Sequence, residues 1–340
     1  MTDDNTLLHP SGSGNIMLSA SGRRVALLRA LEQATRSLGL DALVIATDIT
    51  RTSPAFQVAG QSQLVPPYSD PNCLEILLQV CDEQDIGLII PTIDPDLPFF
   101  SKHREQFEAI GTRINVSSED TIRVANDKWN THRWLTEHGF PTVRQAAAED
   151  ILSGHASCDY PVFAKPRRGA ASIGAGVVQT EEHLRVLAAL DEYIVQSLAK
   201  GREYTVDVFV DAEGRCRCAV PRMRIETRGG EVSKGITRKC QPVIDLATRI
   251  AESLPGARGV MNIQIMYDDS TDDLNVIEIN PRFGGGYPLT EAAGAPMIRW
   301  VIEESFGLPS SARSDTWREN VVMLRYDEAV FVSAEAAGME

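Results

Sequence analysis

The 340-residue sequence predicts an α/β domain with a parallel sheet, followed by an α+β half built on antiparallel sheets. Two observations carry this. Up to about residue 115 short apolar runs alternate with amphipathic stretches, and from about residue 160 onward the runs are short, turn-separated and mostly alternating, with few helices between them. A third observation concerns chemistry: polar side chains interrupt strands of the second half where apolar ones are needed.

Asn15–Ser19 is an apolar run ending in small residues, and after it Val25, Leu28, Leu31 and Leu38 recur near helical spacing over 24–38. Residues 42–46 are again apolar throughout, as in a strand covered on both faces. Strand and helix then alternate through 63–65, 71–83, 87–91, 94–109 and 113–115, so crossover connections and a parallel sheet follow. The first turn, Ser19-Ala20-Ser21-Gly22-Arg23-Arg24, lacks the Gly-x-Gly-x-x-Gly spacing of a dinucleotide fold. A tight turn remains, or a helix N-terminus able to hold a carboxylate or phosphate. Residues 117–139 read as helical, with a Ser117/Ser118 cap and Glu119–Asp120 in the first turn, linking the two halves. In the second half, strands are expected over 160–165, 176–179, Tyr193–Ser197, 203–210, 216–223, 259–267 and 274–279, and helices over 181–189, 242–254 and 296–306.

Lys+Arg 33 against Asp+Glu 47 gives a net charge of -14, which argues against nucleic acid as the main partner. No apolar stretch reaches the roughly 18–20 residues of a membrane span, and the first ten residues lack a signal-peptide pattern. A cytoplasmic protein with no membrane partner is expected. The six cysteines are scattered without Cys-x-x-Cys, so reduced thiols are expected and a structural zinc is not.

Three segments carry chemistry. In 162–176 a strand ends at Lys165 and a loop of Gly, Ala and Ser follows, placing an ammonium beside unhindered backbone N–H groups, as a polyphosphate requires. A surface hairpin with a snorkelling lysine is the alternative. In 261–282 a hairpin puts Gln264 and Glu278 on one face, with Asn280 two residues along on the same face, an oxygen set suited to Mg²⁺ or Mn²⁺. The acidic residues 268–273 at its tip read as solvated turn. In 282–288 Arg282 precedes three glycines, where a fixed guanidinium could hold a carboxylate or a transferring phosphoryl group; an ordinary glycine-rich loop is the alternative.

These residues, with Asn126-Asp127-Lys128, Tyr193-Ile194-Val195-Gln196-Ser197 and Gly201-Arg202-Glu203-Tyr204-Thr205-Val206-Asp207, resemble the ATP-grasp superfamily. Within it the chain is similar to a single ATP-grasp unit of the carbamoyl-phosphate-synthase large-chain type, the likeness covering roughly residues 15–310. The resemblance implies a flexible extension over 1–14, a pre-ATP-grasp domain over 15–116, linker helices and a first lobe over 117–198, and a second lobe over 199–335. It implies ATP and magnesium as cofactors. Lys128 and Lys165 would touch phosphates, with Ser172 and Gly174 in the phosphate loop. Val195 and Ser197 would offer backbone groups to adenine beside Gln196, and Glu203 would accept from the ribose. Gln264, Glu278 and Asn280 would hold the metal, with Asn280 also facing the nucleotide, and Arg282 would stabilise the carboxylate or acyl phosphate. Arg222, Arg224, Lys234 and Arg238 would approach the γ-phosphate and substrate from a flexible hairpin around Gly229-Gly230.

The implied activity is an ADP-forming ligase that activates a small carboxylate as an acyl phosphate and joins it to an amine. Two alternatives stand beside it: a carboxylating or phosphorylating enzyme of nucleotide-precursor type, and a catalytically silent ATP-binding regulatory protein. A homodimer is left open. Gln at 196, where many relatives carry an acid, puts more weight on Glu203, and Gln at 264 lowers the negative charge of the metal site. With no second ATP-grasp copy, full carbamoyl-phosphate synthesis is not expected of this chain alone.

Overall fold

A computed structural model describes residues 14–169 and 173–339; most of the expected extension and Ser172 lie outside the described residues. Five parallel strands, β1 (Asn15–Ser19), β2 (Val44–Asp48), β3 (Gln61–Leu64), β4 (Ile86–Pro91) and β5 (Arg113–Ile114), form one sheet in the order β3-β2-β1-β4-β5. The two-residue period divides β1 between two cores. Ile16 and Leu18 pack with Leu28, Leu31 and Trp300, whereas Met17 joins Ile45, Leu77, Phe100 and Phe107 on the other face. Because Trp300 and Phe209 belong to later elements, the first core also fastens this domain to the rest of the chain.

The second half holds two antiparallel sheets. β6 (Gln145–Ala147), β7 (Val162–Pro166), β8 (Gly176–Val178) and β9 (Tyr193–Ser197) pair in the order β6-β9-β7-β8. β10 (Arg202–Val210), β11 (Cys216–Arg228), β12 (Glu231–Thr237), β13 (Gly259–Asp268), β14 (Asp273–Asn280) and β15 (Val322–Leu324) pair in the order β14-β13-β10-β11-β12-β15. Helix Gln241–Ser253 covers one face of that sheet through Val243, Leu246, Ala247 and Ile250. Its other face looks toward the first domain and the four-stranded sheet.

The helical stretch expected over 94–109 is two helices, Asp96–Lys102 and Arg104–Ala109, interrupted at His103. That over 117–139 is also two, Glu119–Ala125 and Lys128–Glu137, because the Asp127 carboxylate caps the second, accepting from Trp129 N at 2.9 Å and Asn130 N at 3.4 Å. The expected hairpin forms as two strands of the sheet. β11 runs to Arg228, Gly229 and Gly230 turn with φ of 58° and 77°, and β12 is flanked on both sides by β11 and β15.

Candidate functional site

A cavity of about 740 Å³ opens where the three sheets meet, lined from the first domain by Arg24, Thr92 and Asp94, from the four-stranded sheet by Lys165 and Gln196, and from the six-stranded sheet by Glu203, Gln264, Glu278 and Asn280. Lys128 enters from the start of its helix, and its Nζ donates to Gly169 O at 2.8 Å. Lys165 ends β7 in the cavity wall at 5 % exposure. Burial pushes its ammonium down to about 8; Glu278 opposes the shift and Lys128 adds to it.

Antiparallel register sets the face of the hairpin. Gln264 lies directly opposite Glu278 and Asn262 opposite Asn280, so all four side chains share one side of the sheet. Asn280 Nδ2 donates to Asn262 Oδ1 at 3.3 Å, while Arg282 Nη2 donates to Asn280 Oδ1 at 3.4 Å. One carboxylate with neighbouring amide oxygens suits a hard cation that takes its remaining ligands from water and phosphate. No cluster of three His, Cys, Asp or Glu occurs among the described residues.

Arg282 is fixed by Asp94 of the first domain, with Nε and Nη2 each 2.7 Å from a carboxylate oxygen. Burial lowers its affinity for a proton, but the Asp94 pair outweighs this and holds the charge more firmly than usual. Arg222 crosses β11 to Asp207 of β10 through Nε at 2.8 Å and Nη2 at 2.9 Å, and Thr290 Oγ1 also donates to that carboxylate. Gly286 has to be glycine because a Cβ there would stand 2.1 Å from Arg222 Nη1. Arg224 pairs with Glu203.

Lys234 and Arg238 are not brought to the cavity. Arg222 stands opposite Thr237 and Arg224 opposite Gly235, so Lys234 and Arg238 fall on the alternate positions. Lys234 Nζ instead meets Glu226 Oε2 at 2.6 Å, and Arg238 bonds Asn320. Gln196 lines the cavity but donates from Nε2 to Gln145 Oε1 at 2.8 Å. The backbone of β9 is paired on both sides, and Ser197 N donates to Arg144 O at 3.0 Å. Ser197, Leu198 and Ala199 line the cavity at the end of the strand, whereas Val195 does not. Gly174 supports the loop between Ile173 and Ala175, accepting from Tyr193 Oη at 2.9 Å.

Residues 125–286 match the ATP-grasp domain family and residues 16–115 the PylC-like N-terminal domain. The chain carries an ATP-grasp domain. It is 22% identical over 299 residues to the carbamoyl phosphate synthase large chain of Methanobrevibacter smithii, covering 81% of this chain and 28% of that one. The chain thus spans less than a third of that relative's length. Among solved structures it is similar to N5-carboxyaminoimidazole synthetase from Staphylococcus aureus, with a TM-score of 0.69 and 16% identity over 89% of this chain and 80% of that one. It is also similar to L-amino acid ligase from Bacillus licheniformis, with a TM-score of 0.67 and 16% identity over 91% and 78%. At such identities the structural likeness establishes the fold, an N-terminal parallel sheet followed by ATP-grasp lobes.

ATP-grasp enzymes as a class bind ATP and Mg²⁺. In this cavity the residues that the sequence did not single out are Asp94, Asn262 and, as a cavity residue, Arg24. Asp94 and Arg24 lie outside the ATP-grasp domain, 188 and 258 residues before Arg282, so no local pattern joins them to it. Asn262 had a signal: it stands two residues before Gln264 on the same strand face. No helix among the described residues is long and apolar enough to cross a membrane.

Proposed function

We propose that the protein is an ATP-dependent carboxylate–amine ligase that makes an acyl phosphate and converts it to an amide, releasing ADP and phosphate. The observation that carries this is the set of charges in the cavity. Lys128, Lys165, Glu278 and Arg282 line the same cavity, and Asp94 holds Arg282 rigid there. Phosphoryl transfer asks the protein mainly for alignment and charge neutralisation, which fixed cations in a walled cleft supply.

In the first step a carboxylate oxygen attacks the γ-phosphorus, the bond from phosphorus to the β–γ bridging oxygen breaks, and ADP leaves. In the second, the amine nitrogen attacks the acyl carbon, the C–O bond to phosphate breaks, and the amine proton passes to solvent. Lys128 and Lys165 would hold the triphosphate, and Leu198 and Ala199 the base, with Glu203 beside the sugar. Gln264, Glu278 and Asn280 would hold Mg²⁺, whose chemistry when bound is to neutralise phosphate oxygens. Arg282 would orient the carboxylate and steady the acyl phosphate; the 284–286 glycines let backbone approach it closely.

The test is ADP release from ATP and magnesium with pooled amino acids and other acid-plus-amine mixtures, followed by product mass. Release that needs both a carboxylate and an amine, with a product equal to their sum less one water, supports the proposal. ATP binding with no release in any mixture would sustain the catalytically silent alternative.

A further inference from the structure

Among the described residues, Arg24 is the arginine of the cavity wall that has no carboxylate of its own. Arg282 is paired with Asp94, Arg222 with Asp207, Arg224 with Glu203, and Arg168 has Asp127 at 3.6 Å. Among the described residues no carboxylate oxygen lies within 4.0 Å of Arg24, and the one hydrogen bond of its guanidinium is a long one, Nη2 to Thr92 O at 3.5 Å. Glu231, which lines the cavity beside it, is bound to Arg325 at 2.8 Å. Its position is built, not incidental. Arg24 stands at the start of helix Val25–Ser37 in the first domain, and Gly285 of the second half lies against both its guanidinium and the Glu231 carboxylate, since a Cβ there would stand 3.1 Å from Nη1 and 3.0 Å from Glu231 Oε1.

A partly buried guanidinium with no ion pair of its own is costly unless a ligand supplies the partner. The strongest charges acting on Arg24 are Arg282, Glu231 and Asp94, and neither lysine is among them. Glu278 acts on Lys165 and on Arg282. Arg24 lies against Gly285 and Glu231 and Lys128 against Gly169, so the two cations stand on different segments of the wall. If the lysines hold the triphosphate and Arg282 the carboxylate under activation, an anion on Arg24 is a different one.

Resting on the ligase reading, we infer that Arg24 is a specificity residue that binds a second oxyanion carried by the substrates, apart from the carboxylate that is activated. The substrate class this selects is an anionic amine, such as an amino acid that keeps its carboxylate when its nitrogen is acylated. Carboxylate and phosphate share the chemistry, a pair of oxygens accepting from one planar guanidinium.

The experiment uses the full chain with ATP and magnesium, and reads thermal stabilisation and ADP release. The probes are pooled amino acids, the same amines after decarboxylation, and O-phosphoethanolamine. Wild type should respond to amino acids and not to the decarboxylated pool; a response to O-phosphoethanolamine alone would mark phosphate as the source of the oxyanion. Arg24→Met should raise the half-maximal amino-acid (or phosphoethanolamine) concentration by roughly ten- to a hundredfold, the size expected for a charge-assisted hydrogen-bonded pair. Arg24→Lys should restore part of it, and both variants should keep the stabilisation by ATP alone. Equal response of Arg24→Met and wild type, or of decarboxylated and intact amines, overturns the inference. So does a wild type that answers no probe. A stabilisation by ATP that survives in Arg24→Met and is lost in Lys165→Met leaves the nucleotide site standing in that case, so the two failures are distinct.

Discussion

The Arg282 guanidinium and the Asp94 carboxylate, 188 residues apart, form a two-pronged pair with both contacts at 2.7 Å. It joins the parallel-sheet domain to the end of the β13–β14 hairpin and sets the plane of the guanidinium in the cavity. Asp94→Asn keeps the shape and removes the charge. We expect ADP release to fall by about ten- to a hundredfold, the cost of losing a charge-assisted pair, with a smaller loss of melting temperature. Steady-state kinetics and thermal unfolding of the variant check both.

Lys165 predicts a pH profile. Burial brings its ammonium down to about 8 from 10.5, and it is the charged form that binds phosphate. Nucleotide affinity should therefore be greatest below pH 8 and fall by up to about tenfold per unit above it, a dependence that Lys165→Met removes along with most of the affinity. Equilibrium binding of ATP across pH 6.5 to about 9.5 tests this.

Stability should move the other way. Between about pH 8 and 10.5 the unfolded chain binds the proton that folded Lys165 has lost, so the ligand-free protein gains stability as pH rises through that window. Lys165→Met should flatten the rise and melt higher than wild type at neutral pH in the absence of ATP. A lower melting point would mean that Lys165 is a structural residue.

Glu278 is the one carboxylate of the Gln264–Glu278–Asn280 set, half-buried and without an ion pair among the described residues. Glu278→Gln removes charge and almost no volume. Turnover should fall on the order of a hundredfold and need more magnesium, while the melting temperature changes little. A magnesium titration of ADP release reads the shift.

Asp207 and Arg222 are a structural contrast, since both are buried and Thr290 adds to the pair. Asp207→Ala leaves a buried guanidinium unpaired and should cost about 3–5 kcal/mol in urea unfolding. Arg222 would then be free to displace Gly286, which already stands close to it.

Much of the fold was legible because periodicity reports burial. β1, β2 and β4 are apolar on both faces, and the β13–β14 hairpin alternates isoleucine with oxygen-bearing residues, which set Gln264, Glu278 and Asn280 on one side. What was not legible depends on pairing between distant segments. The register of β11 with β12 decides that Arg222 and Arg224 face the cavity and that Lys234 does not, and a charge count over 234–239 carries no register. Asp94 and Arg24 reach the site only because the core around Trp300 docks the first domain on the six-stranded sheet.

The acyl phosphate is the centre of this account, and isotope transfer tests it most directly. Pooled amino acids labelled with ¹⁸O in their carboxyl groups are incubated with ATP, magnesium and the protein, and the phosphate released is weighed by mass spectrometry. One labelled oxygen per phosphate, appearing with an equal amount of ADP and amide, is the predicted result, because the carboxyl oxygen that attacks phosphorus leaves with it. Unlabelled phosphate alongside amide, or release of AMP and pyrophosphate, would contradict it.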